Sequence, residues 1–339
     1  MKSFPTAAQL TGKRLLAFAL IATAGISMST NAAPHFTTFD PPGSVATTSR
    51  SISNGAVTGY YQDAVGFYHG FVRSPGGIST VVDIAGASNT YAGSIDKEGT
   101  VTGFYTEGAL NHGFLRTIDG TVQTFDPPGS FGTIALSIAN GAITGFYYDI
   151  NNVPHGYVRW RGGEIEVFDP AGSVYTNPTS INSSGAITGL YQDSSSRFHG
   201  FLRDPDGSIT RFDPSGSTYT APVSINTNGA VTGFYYDSLG DIHGLVRAAD
   251  GGLIGFDLVR GNSTQPSGID DKGYVAGFVF DNNFAGHGFL KFPDGNVKTF
   301  DPRNSAFTRV ESIDQDGGAI TGEYADPHNF FFHGFILTP

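Results

Sequence analysis

Phe39-Asp40-Pro41-Pro42-Gly43-Ser44 and, further on, His69-Gly70-Phe71-Val72-Arg73 are the two phrases on which the fold is read. The first returns in variants whose acid falls at Asp40, Asp83, Asp126, Asp169, Asp213, Asp257 and Asp301. The second returns at His69, His112, His155, His199, His243, His287 and His333. The two alternate strictly, and successive acids are 43 or 44 residues apart. A period in the low forties is that of a four-stranded structural repeat.

One unit shows the four strands. Ser79 to Asp83, Gly93 to Asp96, Thr100 to Glu107 and His112 to Arg116 are short apolar or alternating runs. Ala85-Gly86, Lys97-Glu98-Gly99 and Gly108 to Asn111 separate them as turns and a loop. We name the strands a (Ser-Ile-Asn type), b (Ile-Thr-Gly-Phe-Tyr type), c (His-Gly-Phe-Leu-Arg type) and d (Ile-Thr-x-Phe-Asp type). No sustained helical period occurs beyond the N-terminal region.

The ends are complementary. The repeats open on a lone d strand, His35 to Asp40, and close on a c strand, His333 to Leu337. The expectation is an all-β, seven-bladed β-propeller of four-stranded blades, with the N-terminal strand completing the last blade. That arrangement removes two exposed edges.

The run Ser-Ile-Asn-x-x-Gly-x-Ile-Thr-Gly-x-Tyr, followed by His-Gly-Phe-Leu-Arg and Phe-Asp, resembles the bacterial HAF-type probable extracellular repeat. Here Gly replaces the family's central Ala, and two units read His155-Gly156-Tyr157 and His243-Gly244-Leu245. The resemblance covers the repeats throughout. It implies export and no particular activity. A looser similarity is to virginiamycin B lyase-type propellers, whose strands also end in Ile-Thr-x-Phe; the catalytic residues of that family have no match here.

Residues 1–32 read as a secretory signal peptide. Lys2, Lys13 and Arg14 precede an apolar core from Leu15 to Met28, and small residues from Ser29 to Ala33 suit cleavage after Ala32. The propeller domain is then 33–339, in the periplasm or outside the cell, with no membrane span once the signal is removed. The chain has no cysteine, which excludes disulfides and thiolate zinc sites. Of its 19 basic residues three lie in the signal, against 30 acidic residues in the remainder. Such an acidic chain repels nucleic acid. A monomer is expected.

Strand b ends in Asp63, Glu107, Asp149, Asp193, Asp237, Asp281 and Asp326. These acids, the c-strand His and the d-strand Asp fall at the same end of each unit. The midpoint of His69 and Asp83 is Gly76, inside a turn, so the two stand opposite across the c–d hairpin. An imidazole between two carboxylates suits a metal or acid–base work. Sevenfold repetition argues instead for a structural clasp, because catalysis needs one asymmetric constellation. No metal or other cofactor is expected. Asp314 to Gly317 slightly resembles a calcium loop but lacks its spaced ligands.

Function is sought where the repeats differ. Tyr91, Phe131, Tyr175, Tyr219 and Phe307 fall in the d–a loops, where they suit stacking on sugar rings or packing between blades. The residue before Ser-Ile varies most: Arg50, Gly93, Leu136, Thr179, Val223, Ser267 and Glu311, the last also with the first across the closure. These are expected to line the channel, with Arg50 and Glu311 as an ion pair or the polar end of a ligand site. Trp160 reads as an exposed turn residue, and His328 to Phe332 as an insert contacting a partner or covering the seam. The favoured function is a non-catalytic binding or scaffold module for a carbohydrate or an extracellular protein. A polysaccharide lyase or hydrolase and a structural or adhesive surface protein are the alternatives.

Overall fold

The computed structural model describes residues 35–258 and 263–338. The expected signal peptide, 1–32, lies outside them. The described residues are strands and turns with no helix. β1 (His35–Phe39) is followed by β2 (Ser44–Ser53), β3 (Ala56–Asp63), β4 (Tyr68–Arg73) and β5 (Ser79–Val82), which pair in that order. β6–β9 lie within 89–125, β10–β13 within 132–168, β14–β17 within 173–212, β18–β21 within 219–256 and β22–β25 within 264–300. Each set of four pairs in the same antiparallel order; a single parallel bridge, Phe198 with Tyr219, joins the fourth set to the fifth. The final sheet runs β1, β28 (Phe332–Thr338), β27 (Ile320–Ala325), β26 (Phe307–Ile313). β1 pairs antiparallel with β28 from His35 opposite Thr338 to Phe39 opposite Gly334.

The Ile-Thr-Gly phrase has a packing reason. A Cβ on Gly59 would lie 2.0 Å from the Thr48 carbonyl oxygen, and one on Gly103 1.9 Å from that of Tyr91. The two backbones approach so closely because strand a carries a bulge opposite this glycine. Ser49 faces Gly59 and Ser51 faces Thr58, which leaves Arg50 as the extra residue. The same shift recurs in the a strand of every unit. A bulge re-aims one side chain out of the ladder.

The core lies within and between adjacent sheets. Phe71, Phe114, Tyr157, Phe201, Leu245, Phe289 and Phe335, all at the same c-strand position, are fully buried. Each such side chain stabilises the fold by roughly 2 kcal/mol. The basic residue ending strand c reaches across to the preceding unit: Arg73 sits over the Phe39 ring at 4.9 Å and Arg203 over Phe168 at 5.0 Å.

Strand a starts earlier than the sequence suggested. In the second unit it spans Asn89–Ile95, because buried Thr90 and Ala92 continue its inward alternation. Tyr91, Tyr175, Tyr219 and Phe307 therefore sit in a strands and not in loops. Strand c of that unit starts at Leu110, which reduces the expected four-residue loop to a Gly108-Ala109 turn.

The Thr of Ile-Thr-Gly donates its hydroxyl to the c-strand carbonyl, as Thr58 does to Phe71 O at 2.8 Å. Ala276 takes this place in the sixth unit. Ala276→Thr should raise stability by about 0.5–1 kcal/mol in denaturant melts. A loss of stability would show that the sixth unit lacks the space its neighbours have.

Candidate ligand-binding site

Two arrangements converge on the sequence-singled residues. The first is the His–Asp row. Each c-strand imidazole holds the d-strand acid of its own unit through Nδ1: His69 to Asp83 at 2.9 Å, His112 to Asp126 at 2.8 Å, His155 to Asp169 at 2.6 Å and His199 to Asp213 at 2.9 Å. His243–Asp257, His287–Asp301 and His333–Asp40 repeat it at 2.8, 2.7 and 2.7 Å. The b-strand acid joins at Nε2 less regularly. Asp193 stands at 3.0 Å and Asp63 at 3.3 Å, while Asp149, Asp237 and Asp281 are 3.6–3.9 Å away. Among the described residues neither Glu107 nor Asp326 forms such a pair, so the three-group row expected for the last unit is His333–Asp40 alone.

The sequence reading missed the fourth member. Thr47 donates to Asp40 Oδ1 at 2.7 Å, Thr133 to Asp126 at 2.5 Å and Thr308 to Asp301 at 2.6 Å. Thr220 of the fifth unit instead donates to Ser217 Oγ at 3.3 Å. Each of these threonines is buried in strand a of the following unit. At Asp40, Asp126 and Asp301 the acid therefore ties its own c strand to the next unit. The signal was present: a Thr follows every d-strand Asp by seven residues. Among the described residues no group of three or more acids and histidines is arranged to hold a metal.

The second arrangement is a cavity of about 560 Å³ to whose wall strand a of every unit contributes. Arg50, Gly93, Leu136, Thr179, Val223, Ser267 and Glu311, the bulge residues, all line it. Charged side chains reach its wall from three units: Arg50 from the first, Asp96, Lys97 and Glu98 from the second, and Arg309 and Glu311 from the seventh. Arg50 Nη1 meets Glu311 Oε2 at 2.6 Å, and Arg309 Nε meets Glu311 Oε1 at 2.8 Å. Arg309 also lies 3.6 Å from Glu323, its cross-strand partner. Glu323 stands where the other units place Tyr60, Phe104, Phe146, Leu190, Phe234 and Phe278. Aligning the seven repeats would have exposed it. Burial pushes the Glu323 carboxyl upward and neighbouring Glu311 adds to this, while Glu311 holds the Arg50 guanidinium above its ordinary value. Burial likewise raises the Tyr60 phenol.

The aromatics pack more than they project. Tyr91 lies 5.2 Å from both Tyr60 and Tyr68 of the preceding unit and 4.7 Å from Phe104. Tyr175 and Tyr219 both meet Phe198, and Phe307 meets Phe280 and Phe332. Phe131 alone of the five is 57% exposed. Trp160 differs from expectation: it is half-buried against Gly185 in the next unit, and its indole N–H reaches Glu166 at 3.4 Å.

No protein-family model matches the chain, and no curated protein does. Solved structures do. A virginiamycin B lyase from Staphylococcus aureus is 14% identical, over 91% of this chain and 100% of that one, with a TM-score of 0.60. The β-propeller domain of the Trilobed protease from Pyrococcus furiosus, described as having an open velcro topology, is 9% identical over 86% and 95%, with a TM-score of 0.62. TolB from Acinetobacter baumannii is 13% identical over 72% and 63%, with a TM-score of 0.51. At such identities the likeness shows the fold alone: this chain is built as a β-propeller.

The clasp has a pH signature. Burial pulls His69 and His243 toward the neutral form, but bonds to their flanking carboxylates outweigh it and leave both imidazoles raised. For His287 the bond to Asp301 is the largest cause, and it too is raised. A raised imidazole stabilises the fold fully below its unfolded value of about 6.5, and this is lost as pH rises through the folded value. His287→Gln should therefore lower the Tm more at about pH 5.5 than at about pH 8.5. An equal loss at both would show that its charge contributes nothing.

Proposed function

We propose that the chain is an exported, seven-bladed β-propeller of the HAF-repeat kind, closed by β1 as the outer strand of its last blade. It acts as a non-catalytic binding module whose ligand enters the cavity bordered by Arg50, Arg309 and Glu311. The supporting observation is the location of the asymmetry. Every unit sends a bulge residue to this wall, and only Arg50 and Glu311 among the seven are charged, interlocked with each other and with Arg309. A structural ring needs no such cluster, and a concave site with a few convergent polar groups is the usual form of a small-ligand site. Carbohydrate is the favoured ligand class: the charged sector supplies donors and acceptors for hydroxyls, and Phe234 and Phe278 supply apolar faces.

The unlike settings of Glu311, gripped by two arginines, and buried Glu323 favour one second reading, a polysaccharide lyase or hydrolase. A glycan array with the mature chain and Arg50→Ala separates the two. Binding module predicts a glycan signal that the variant weakens at least ~10-fold, with no new products from the bound glycan. Turnover of that glycan, abolished by Glu323→Gln, would favour the enzyme. A signal indifferent to Arg50→Ala would remove the cavity from the account.

A further inference from the structure

We propose that the face carrying the b–c turns is a docking surface for a basic protein or peptide that presents apolar side chains. The b–c turns and the d-strand ends share one end of every unit, since His69 bonds both Asp63 and Asp83. Successive units keep the same sense, because the Ile95 amide donates to Ser51 Oγ of the preceding a strand at 3.4 Å and Ile138 to Ser94 at 3.3 Å.

The turns at this end are of two kinds. In the second and fourth units they are Gly108-Ala109 and Ser194-Ser195-Ser196. In the third, fifth, sixth, seventh and first units they hold out Ile150, Leu239, Phe284, Phe330 and Val65, which are 83, 83, 84, 68 and 79% exposed. Single exposed apolar residues are ordinary; an arc of them around one face, broken only at the second and fourth units, is not.

Two of them stand in a conformation that resists them. The third residue after the b-strand acid has positive φ in most units, and Gly66 and Gly240 fill that place at +103° and +87°. Phe284 occupies it at +62°, and Phe330 a comparable place at +58°. A side chain in the left-handed region costs roughly 1–2 kcal/mol. No packing offsets this cost, because both rings project into solvent. Strain kept at an exposed residue points to a use outside the fold.

Charge states what the arc meets. The seven acids ending strand b, the seven ending strand d and Asp241 place fifteen of the 30 acidic residues at this end. Against them the described residues set Arg197, Arg211 and Arg303. Such a face repels acidic polysaccharide, nucleic acid and anionic lipid, and draws in a cationic partner. This inference stands apart from the cavity reading: neither requires the other.

The test uses the mature full chain and the double variant Phe284→Gly/Phe330→Gly. The probes are an amphipathic Lys/Leu peptide, its Glu/Leu counterpart, polylysine, and phosphatidylcholine or phosphatidylglycerol vesicles. The expected result is binding of the Lys/Leu peptide that weakens with salt and falls at least ~10-fold in the variant, polylysine binding that the variant leaves unchanged, and a Tm that does not drop. Equal binding of the Lys/Leu peptide by parent and variant would overturn the proposal. So would preference for the Glu/Leu peptide or for either vesicle.

Discussion

The d-strand carboxylate is the directional link of the repeats. In every unit it fixes the imidazole of its own c strand, and at Asp40, Asp126 and Asp301 its other oxygen takes the hydroxyl of a buried Thr on the next a strand. A β unit of this size cannot bury both faces alone, so its stability depends on its neighbours. Aromatic and aliphatic burial supplies most of the energy between sheets, but it is non-directional. The Asp–Thr bond and the His–Asp bond set which residue meets which. The basic side chain ending strand c then covers the preceding d-strand Phe, as Arg73 covers Phe39.

The second constraint is the Gly–bulge pair. Because the b-strand glycine permits backbone contact, strand a can hold an extra residue, and that residue faces the cavity. The frame is thereby separated from the wall. Most frame positions vary little from unit to unit, with Ala276 and Glu323 as departures, whereas the bulge residue runs from Gly93 to Arg50 without disturbing the ladder. Specificity can evolve at the wall while the frame stays constant. The charged sector and the arc of exposed turns both involve the first and last units.

Much of this was legible in the sequence, for physical reasons. A fixed period, alternating strands and complementary ends pointed to propeller architecture, and hairpin arithmetic placed His69 opposite Asp83. The bulge residues were found because they are the variable column beside a Ser-Ile pair that only the sixth unit, with Gly268-Ile269, alters. Other features were not found. Thr47 and its counterparts looked like ordinary strand residues, since a hydroxyl's partner in another unit leaves no local pattern. Strand a was drawn too short because polar Thr90 is buried, and polarity read as loop. Glu323 was overlooked because it lies in a frame column, where a departure shows only after all seven repeats are aligned. The exposed aromatics Phe284 and Phe330 gain meaning only from their backbone angles, which no composition encodes.

The d-strand acid of β1 offers the most direct test, because there the same three groups come from the two ends of the chain. Asp40 meets His333 at 2.7 Å and Thr47 at 2.7 Å. The measurement is a double-mutant cycle on Asp40→Asn and Thr47→Val, read by denaturant unfolding of residues 33–339. The account predicts coupling between them of about 0.5 kcal/mol or more. Losses that add within about 0.3 kcal/mol would contradict it, since the acid would then hold nothing beyond its own unit.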